Sequence, residues 1–408
     1  MLTQYDEFPV HQAPRPFSHI PSTDYSWDDG YYFGAFSARH KIFLLTGMRV
    51  NPNTDMIGGY AIIFVNGRQY NVRFSRCWRR LADTVIGPLS YRFTEPLKRI
   101  QLTLAENDSL LSFDLEWKGT IPAFEEQHHS AENRGRKTTD QTRYSQVGVV
   151  NGHIVFDGQR IDVTEEHWTG DRDHSWGLYA ERPPLGPPKW LLPPKLAQGK
   201  QRAFRFWTPF RCGDYGGFYH FHETETGEQC SANDVFGSPF EGVIYNGWNE
   251  TPTRLVSGTH QLQFRKNTRI IESGVIHLCD EHGGRWQHRF EIPMLPWIIQ
   301  PMGYTPGSWK DGGTLHTYHG SEELAMEWDE IDASIQPFPY TPYPPQGGQV
   351  VTNADISDAF GLGVGGSLIH GIEYLASFTL VTPDGEEHRG QGHVECFIDG
   401  RYDPYGFK

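Results

Sequence analysis

The segment Arg172-Asp173-His174-Ser175-Trp176 sets a guanidinium, a carboxylate, an imidazole, a hydroxyl and an indole side by side, ahead of Gly177. In an extended chain alternate side chains point to opposite faces. Arg172, His174 and Trp176 then share one face, and Asp173 and Ser175 the other. An imidazole beside a large π-face joins a proton-transfer group to a surface that stabilises positive charge, which suits an apolar, unsaturated substrate. The purely structural alternative has Arg172 and Asp173 anchoring each other or the backbone while Trp176 fills a core. A carboxyl acts as a general acid near neutral pH when an apolar pocket keeps it neutral, and a neighbouring guanidinium drives it the other way. Asp173, next to Arg172, therefore reads as structural, and His174 as the general acid or base.

Other groupings are weaker. His220 and His222 lie two apart in "YGGFYHFHETETGE" and share a strand face, as metal-binding histidines of β-barrels do. Glu225 and Glu228 straddle the spacing a further ligand would need, so two imidazoles on the wet face of an edge strand are expected, with no metal. Glu125, Glu126, His128 and His129 in "FEEQHHS" read as a turn at a cavity rim, and His316 and His319 as part of a Gly-rich loop. Gly361, Gly363, Gly365 and Gly366 lack the preceding strand and following helix of a dinucleotide fold and read as bends. Tyr144, Tyr304 and Glu373 are polar among apolar or Gly-rich neighbours; each is expected to be hydrogen-bonded, and each is a candidate to line a cavity. The sequence contains no G-x-S-x-G, P-loop or H-E-x-x-H motif.

The elements that must position these residues are strands. Gly (44), Pro (28) and 14% aromatic residues in 408 favour frequent turns between strand formers. Segments such as "KIFLLTGMRV", "GYAIIFV" and "IQLTLAEN" follow one another closely. The turns "VNGR", "VNGH" and "FDGQ" carry the Asn-Gly or Asp-Gly pairs of tight hairpins. Strict alternation in "IQLTLAEN" implies one wet face and one that is packed or encloses a cavity, which a curled, closed sheet provides. The proline-rich stretch 183–199 interrupts this series, so residues 1–182 and 200–408 are expected as two domains of similar size. "SEELAMEWDEIDASI" is expected to form one of few helices, capped by Ser321.

A net charge of -14 opposes binding to nucleic acid or anionic lipid. Five scattered cysteines argue against a disulfide framework and fit a reducing cytoplasm. No stretch reads as a signal peptide or a membrane span. The partner expected is a hydrophobic small molecule; oligomeric state is left open.

The stretch "RYSQVGVVNGHIVFDGQRIDVTEEHWTGDRDHSWG" resembles the signature of the hydroxyneurosporene synthase (carotenoid 1,2-hydratase) superfamily, with its Tyr-x-Gln, short hairpin and Gly-x-Arg-Asp-His-Ser-Trp-Gly. The resemblance is strongest over 141–177. It implies an all-β fold of two packed lipocalin-like antiparallel barrels with a ligand cavity near their junction. It also implies hydration, isomerisation or cyclisation of an isoprenoid or polyene substrate without a cofactor. In such hydratases a His-x-Trp pair works with a downstream Tyr and Asp, the Asp protonating the alkene. His174 and Trp176 match the pair. Asp214 and Tyr215, adjacent and in reverse order, are the nearest counterparts of the Tyr and Asp. The expected catalytic set is thus His174, Trp176, Asp173 and Asp214, with Arg172, Tyr144, Tyr215, His128 and Tyr304 binding substrate. A non-catalytic carrier of a lipophilic molecule, or a metal-dependent enzyme using His220 and His222, are the alternatives.

Overall fold

The computed structural model describes the chain apart from residues 1, 3, 10, 12, 79–80, 180–190, 192, 194–198, 233–234, 249–250, 305, 333–371 and 399. Most of the proline-rich connection and the four glycines 361, 363, 365 and 366 lie outside the described residues. The rest is strand, turn and four short 3-10 helices, arranged in two antiparallel sheets.

The first sheet is a curled, open layer in which Trp27–Ser37 is flanked by Ile42–Asn51 and by Thr169–Tyr179, and the latter pairs in turn with Arg136–Phe156. Among the described residues its two edges do not pair with each other. The second sheet closes, because Arg285–Glu291 pairs both with Ile271–Asp280 and with Ile372–Val381, giving an eight-stranded barrel. The lipocalin-like all-β class expected from the sequence is therefore the one observed, with one half closed and the other curled.

Burial explains the strand sequences. Leu44 and Met48 pack into the concave side of the first sheet, whereas Phe43 and Leu45 pack against the second half of the chain, so Ile42–Asn51 is apolar on both faces. Arg99–Leu104 has only one covered face and alternates. Inside the barrel, Phe204, Phe206, Tyr219, Phe221 and Phe378 fill the lumen. The cavity lies between the two sheets, near the junction where the resemblance implied one.

Three local expectations are corrected. "SEELAMEWDEIDASI" is not a helix: Ala325–Asp332 is a strand on the edge of the first sheet, paired with Arg68–Cys77. Its period of two puts Glu327 and Asp329 on one face, where both bind the fully buried Arg73 at 2.8 and 2.6 Å. Ser321 Oγ still accepts from the Leu324 amide, but at a turn. Asn66-Gly67 and Asp157-Gly158 make left-handed hairpin turns as expected. Asn151-Gly152 does not turn, because Arg136–Phe156 runs straight through it. Gly152, at φ 132°, lets the Asp114 carbonyl approach where a Cβ would collide.

Candidate active site

Thr169–Tyr179 is the strand on which both candidate constellations hang, and its alternation sends them to opposite sides. Arg172, His174 and Trp176 face the concave interior of the first sheet. There Tyr144 lies opposite His174 and Gln146 opposite Arg172 on the neighbouring strand. The two separated pieces of the sequence signature thus meet as cross-strand pairs. Arg172 Nε and Nη2 donate to Gln146 Oε1 at 2.9 and 2.7 Å, and its guanidinium lies over the rings of Trp117 and Tyr144. His174 Nε2 bonds Asp29 Oδ1 at 2.7 Å, and Nδ1 lies 3.3 Å from the Tyr144 hydroxyl. Tyr31 packs on the imidazole at 4.2 Å between ring centres and Trp176 at 5.1 Å. Burial pushes the Tyr144 phenol up and the Arg172 guanidinium down. Both His174 nitrogens are engaged within the wall of the first sheet, and Trp176 is half exposed.

Asp173 faces the other way. The guanidinium nearest to it is Arg143 at 3.7 Å. Arg172, its chain neighbour, is turned to the opposite face, so adjacency in the chain misidentified the partner.

The face bearing Asp173 looks onto a cavity of about 130 Å³ between the sheets. One wall comes from the first sheet, with Tyr32, Arg49, Arg143 and Asp173. The opposite wall is the outer surface of the barrel, with Arg205, Trp207, Glu373 and His393, and Trp297, Met302 and Tyr304, from the stretch after Arg285–Glu291, complete the lining.

At the floor, His393 Nδ1 bonds Asp171 Oδ2 at 3.0 Å and Nε2 bonds Glu373 Oε2 at 2.6 Å, with the Tyr32 hydroxyl 3.3 Å from Nδ1. All three charged groups are buried. Burial disfavours charge on His393, but Glu373 and Asp171 outweigh it and hold the imidazole protonated. Glu373 stands directly opposite Glu395 across two barrel strands. Burial, reinforced by that like charge, pushes Glu373 up to about 7. Glu395 is itself ion-paired with Arg205. The site thus holds a carboxyl poised to carry a proton near neutral pH, coupled to an imidazolium that can replace it.

The remaining sequence candidates fall elsewhere. Tyr304 lines the cavity, its hydroxyl 3.1 Å from that of Tyr60. Asp214 is exposed in a turn, and Tyr215 packs on Trp286 and His388 at the end of the barrel. His128 is exposed and bonded to Asp140 at 2.7 Å. Neither Asp214, Tyr215 nor His128 reaches the cavity, because each sits on a turn or edge outside the junction. Of "FEEQHHS", Glu126 and His129 are buried and Glu125 is exposed. His319 is clipped between Asp311 and the Thr314 carbonyl and stacks on Trp309, a loop-packing role.

His220 and His222 are not on a wet edge. They are buried on the barrel face that the first sheet covers. Their nitrogens are taken by Arg202, by each other and by Glu241, at 3.3, 3.2 and 3.0 Å. Among the described residues no group of three or more His, Cys, Asp or Glu is arranged to hold a metal ion. The described cysteines are all free, and among the described residues no helix is long and apolar enough to cross a membrane.

His393 and Asp171 escaped the sequence reading. Glu373 was noticed only as a polar residue among apolar ones. The only local signal is His393 and Glu395 alternating with the apolar Val394 and Cys396 in "GHVECFI".

The kievitone hydratase of Nectria haematococca is similar in structure at a TM-score of 0.47 and 8% identity, over 92% of this chain and 90% of that one. An AttH-like protein of Nitrosomonas europaea aligns at a TM-score of 0.44 and 9% identity, over 90% and 92%. CghA with Sch210972 aligns at 0.43 and 8%, over 91% and 88%. No curated protein sequence matches. A family model described as "Family of unknown function (DUF8625)" matches residues 2–379, and the chain belongs to that family.

Proposed function

We propose that the protein is an acid–base enzyme that adds water to, removes water from, isomerises or cyclises an unsaturated isoprenoid or polyene-like small molecule in the cavity between its two sheets. The observation that carries this reading is the buried cluster Asp171–His393–Glu373, opening onto the cavity beside Trp207 and Trp297.

The chemistry needs a proton and a dry surface that tolerates positive charge. Glu373 in its acid form gives a proton to one carbon of the double bond. The cation that forms at the other carbon is stabilised by the indole faces and by the field of the carboxylates. Water then adds and releases a proton, or a second π-bond closes a ring and a neighbouring carbon loses one. In either case the proton returns to Glu373 directly or through His393. Atoms balance without a cofactor. Asp171 fixes the orientation of the imidazole and keeps it charged.

The test is deuterium exchange. The purified protein is incubated in D2O with a panel of terpenoid alkenes, allylic alcohols and enones, and mass spectrometry reads carbon-bound deuterium. Incorporation is expected for at least one class, and His393→Gln and Glu373→Gln should each reduce it at least a hundredfold. An inert wild type, or exchange indifferent to both substitutions, would falsify the reading.

A further inference from the structure

We infer that the molecule taken by this cavity carries a neutral oxygen head, a hydroxyl or enol, seated between Arg143 and Asp173, with its hydrocarbon portion against Trp297, Ile299 and Phe397. The inference rests on the cavity being the reaction site and goes beyond it by naming the group that orients the substrate.

Most of the charges that face the cavity are already paired. Arg49 is held by Asp28 at 2.6 Å and reaches Ser175 Oγ at 3.2 Å. Arg205 is paired with Glu395. His393 is clasped by Asp171 and Glu373. Each of these groups has a close ion-pair partner, although Arg49 Nε, like Arg143 Nε, meets no hydrogen-bond acceptor among the described residues. The remaining pair is Arg143 and Asp173, from neighbouring strands of the first sheet, whose closest atoms stand 3.7 Å apart. That separation is too long for a hydrogen bond. The Arg143 Nε is buried and meets no acceptor among the described residues. Glu126, the other carboxylate near Arg143, is bonded to Ser145.

A guanidinium only donates, and a carboxylate only accepts. A group that satisfies both must accept from Arg143 and donate to Asp173, and a hydroxyl or enol does this with a single oxygen. A carboxylate or phosphate cannot donate, and it would add negative charge beside Asp173, Glu373 and Glu395. An ammonium cannot accept, and it would face three guanidiniums. A plain hydrocarbon leaves the pair at 3.7 Å with the remaining hydrogen-bonding capacity of both groups unmet, the case that binding sites reject most strongly. The apolar wall supplied by Trp297, Ile299 and Phe397 suits the remainder of the molecule.

The test is a matched series on one ten-carbon skeleton: geraniol, geranic acid, geranylamine and 2,6-dimethyl-2,6-octadiene. Binding to the full-length protein is read by tryptophan quenching and checked by calorimetry. Geraniol should bind at least tenfold more tightly than the other three. Arg143→Met and Asp173→Asn should each bring geraniol to the affinity of the hydrocarbon while leaving the hydrocarbon's own affinity unchanged. Arg143→Lys, which keeps a donor, should retain part of the preference and guards against a folding defect in the methionine variant. Equal binding of all four, preference for the acid or amine, absence of binding, or a geraniol preference that survives both substitutions would overturn the inference. His393→Gln should keep the preference while losing exchange, so failure of the head-group assignment and failure of the proton-transfer reading give different results.

Discussion

Asp173 and His174 are consecutive in the chain yet serve opposite sides of one strand: Asp173 faces the cavity 3.7 Å from Arg143, and His174 faces the interior of the first sheet 2.7 Å from Asp29. A strand in a sheet covered on both sides can carry two polar constellations that never meet. Only the one that faces the cavity has a buried carboxyl beside an imidazolium.

The first prediction separates the two faces. His174→Gln should leave deuterium exchange within about threefold of wild type, whereas His393→Gln loses at least a hundredfold, the usual contribution of general acid–base catalysis. The two variants compared side by side in the exchange assay decide this. The reverse ranking would move the chemistry to the concave face and restore His174 and Trp176 as the working pair.

A second prediction concerns Gly34, which lies directly opposite Asp171 on the neighbouring strand. A Cβ there would collide with the Asp171 carboxylate and crowd the Tyr32 hydroxyl. Gly34→Ala should turn Asp171 away from His393, cost about 1–3 kcal/mol of stability, and lower exchange at least tenfold. Asp171→Asn should share the kinetic effect. Because Asp171 helps hold His393 protonated, its loss lets the imidazole lose its proton at lower pH, and the alkaline limb of the rate profile should move down. An unmoved profile would leave Asp171 a merely structural role.

The third prediction follows from His288, fully buried in the barrel. It stacks on Phe378 at 3.9 Å, and its Nδ1 lies 2.9 Å from the Tyr219 hydroxyl. Burial pushes its imidazole down to about 3. The unfolded chain takes up this proton near pH 6.5 and the folded chain does not. The stability it confers is therefore complete above pH 6.5 and is lost as pH falls toward 3. Between pH 6.5 and 4 the loss should reach about 3 kcal/mol for this residue. Denaturant midpoints at pH 7 and pH 4 measure it, and His288→Leu should shrink the difference by that amount.

Arg73 supports the fourth. It is fully buried and pairs with Glu327 and Asp329 of the edge strand. Arg73→Leu strands two carboxylates and should destabilise by about 3 kcal/mol, while replacing all three residues with leucine should recover most of the loss. Equilibrium denaturation provides the comparison; a cost below about 1 kcal/mol for the single variant would show that backbone pairing alone secures this strand.

Several features were legible without coordinates because their causes are local. Asn66-Gly67 and Asp157-Gly158 impose left-handed turns wherever they fall at a hairpin end, and the strand-rich composition follows from the same backbone preferences. Alternation likewise assigned Arg172, His174 and Trp176 to one face and Asp173 to the other. Where the reading failed, the deciding contact was remote. Ala325–Asp332 read as a helix because its partner strand, Arg68–Cys77, lies about 250 residues earlier. His220 and His222 read as wet because nothing near them announces that the first sheet covers the outside of the barrel. His393 was overlooked for the same reason: its partner Asp171 is 222 residues away.

What the sequence by itself determined is which side chains share a face, since that is set by the two-residue period of an extended backbone. Which of those faces meets the cavity was decided only by the tertiary structure. It depends on how a curled sheet stacks on a closed barrel, and that arrangement buries Glu373 and sets Asp173 in the cavity wall while leaving Trp176 half exposed.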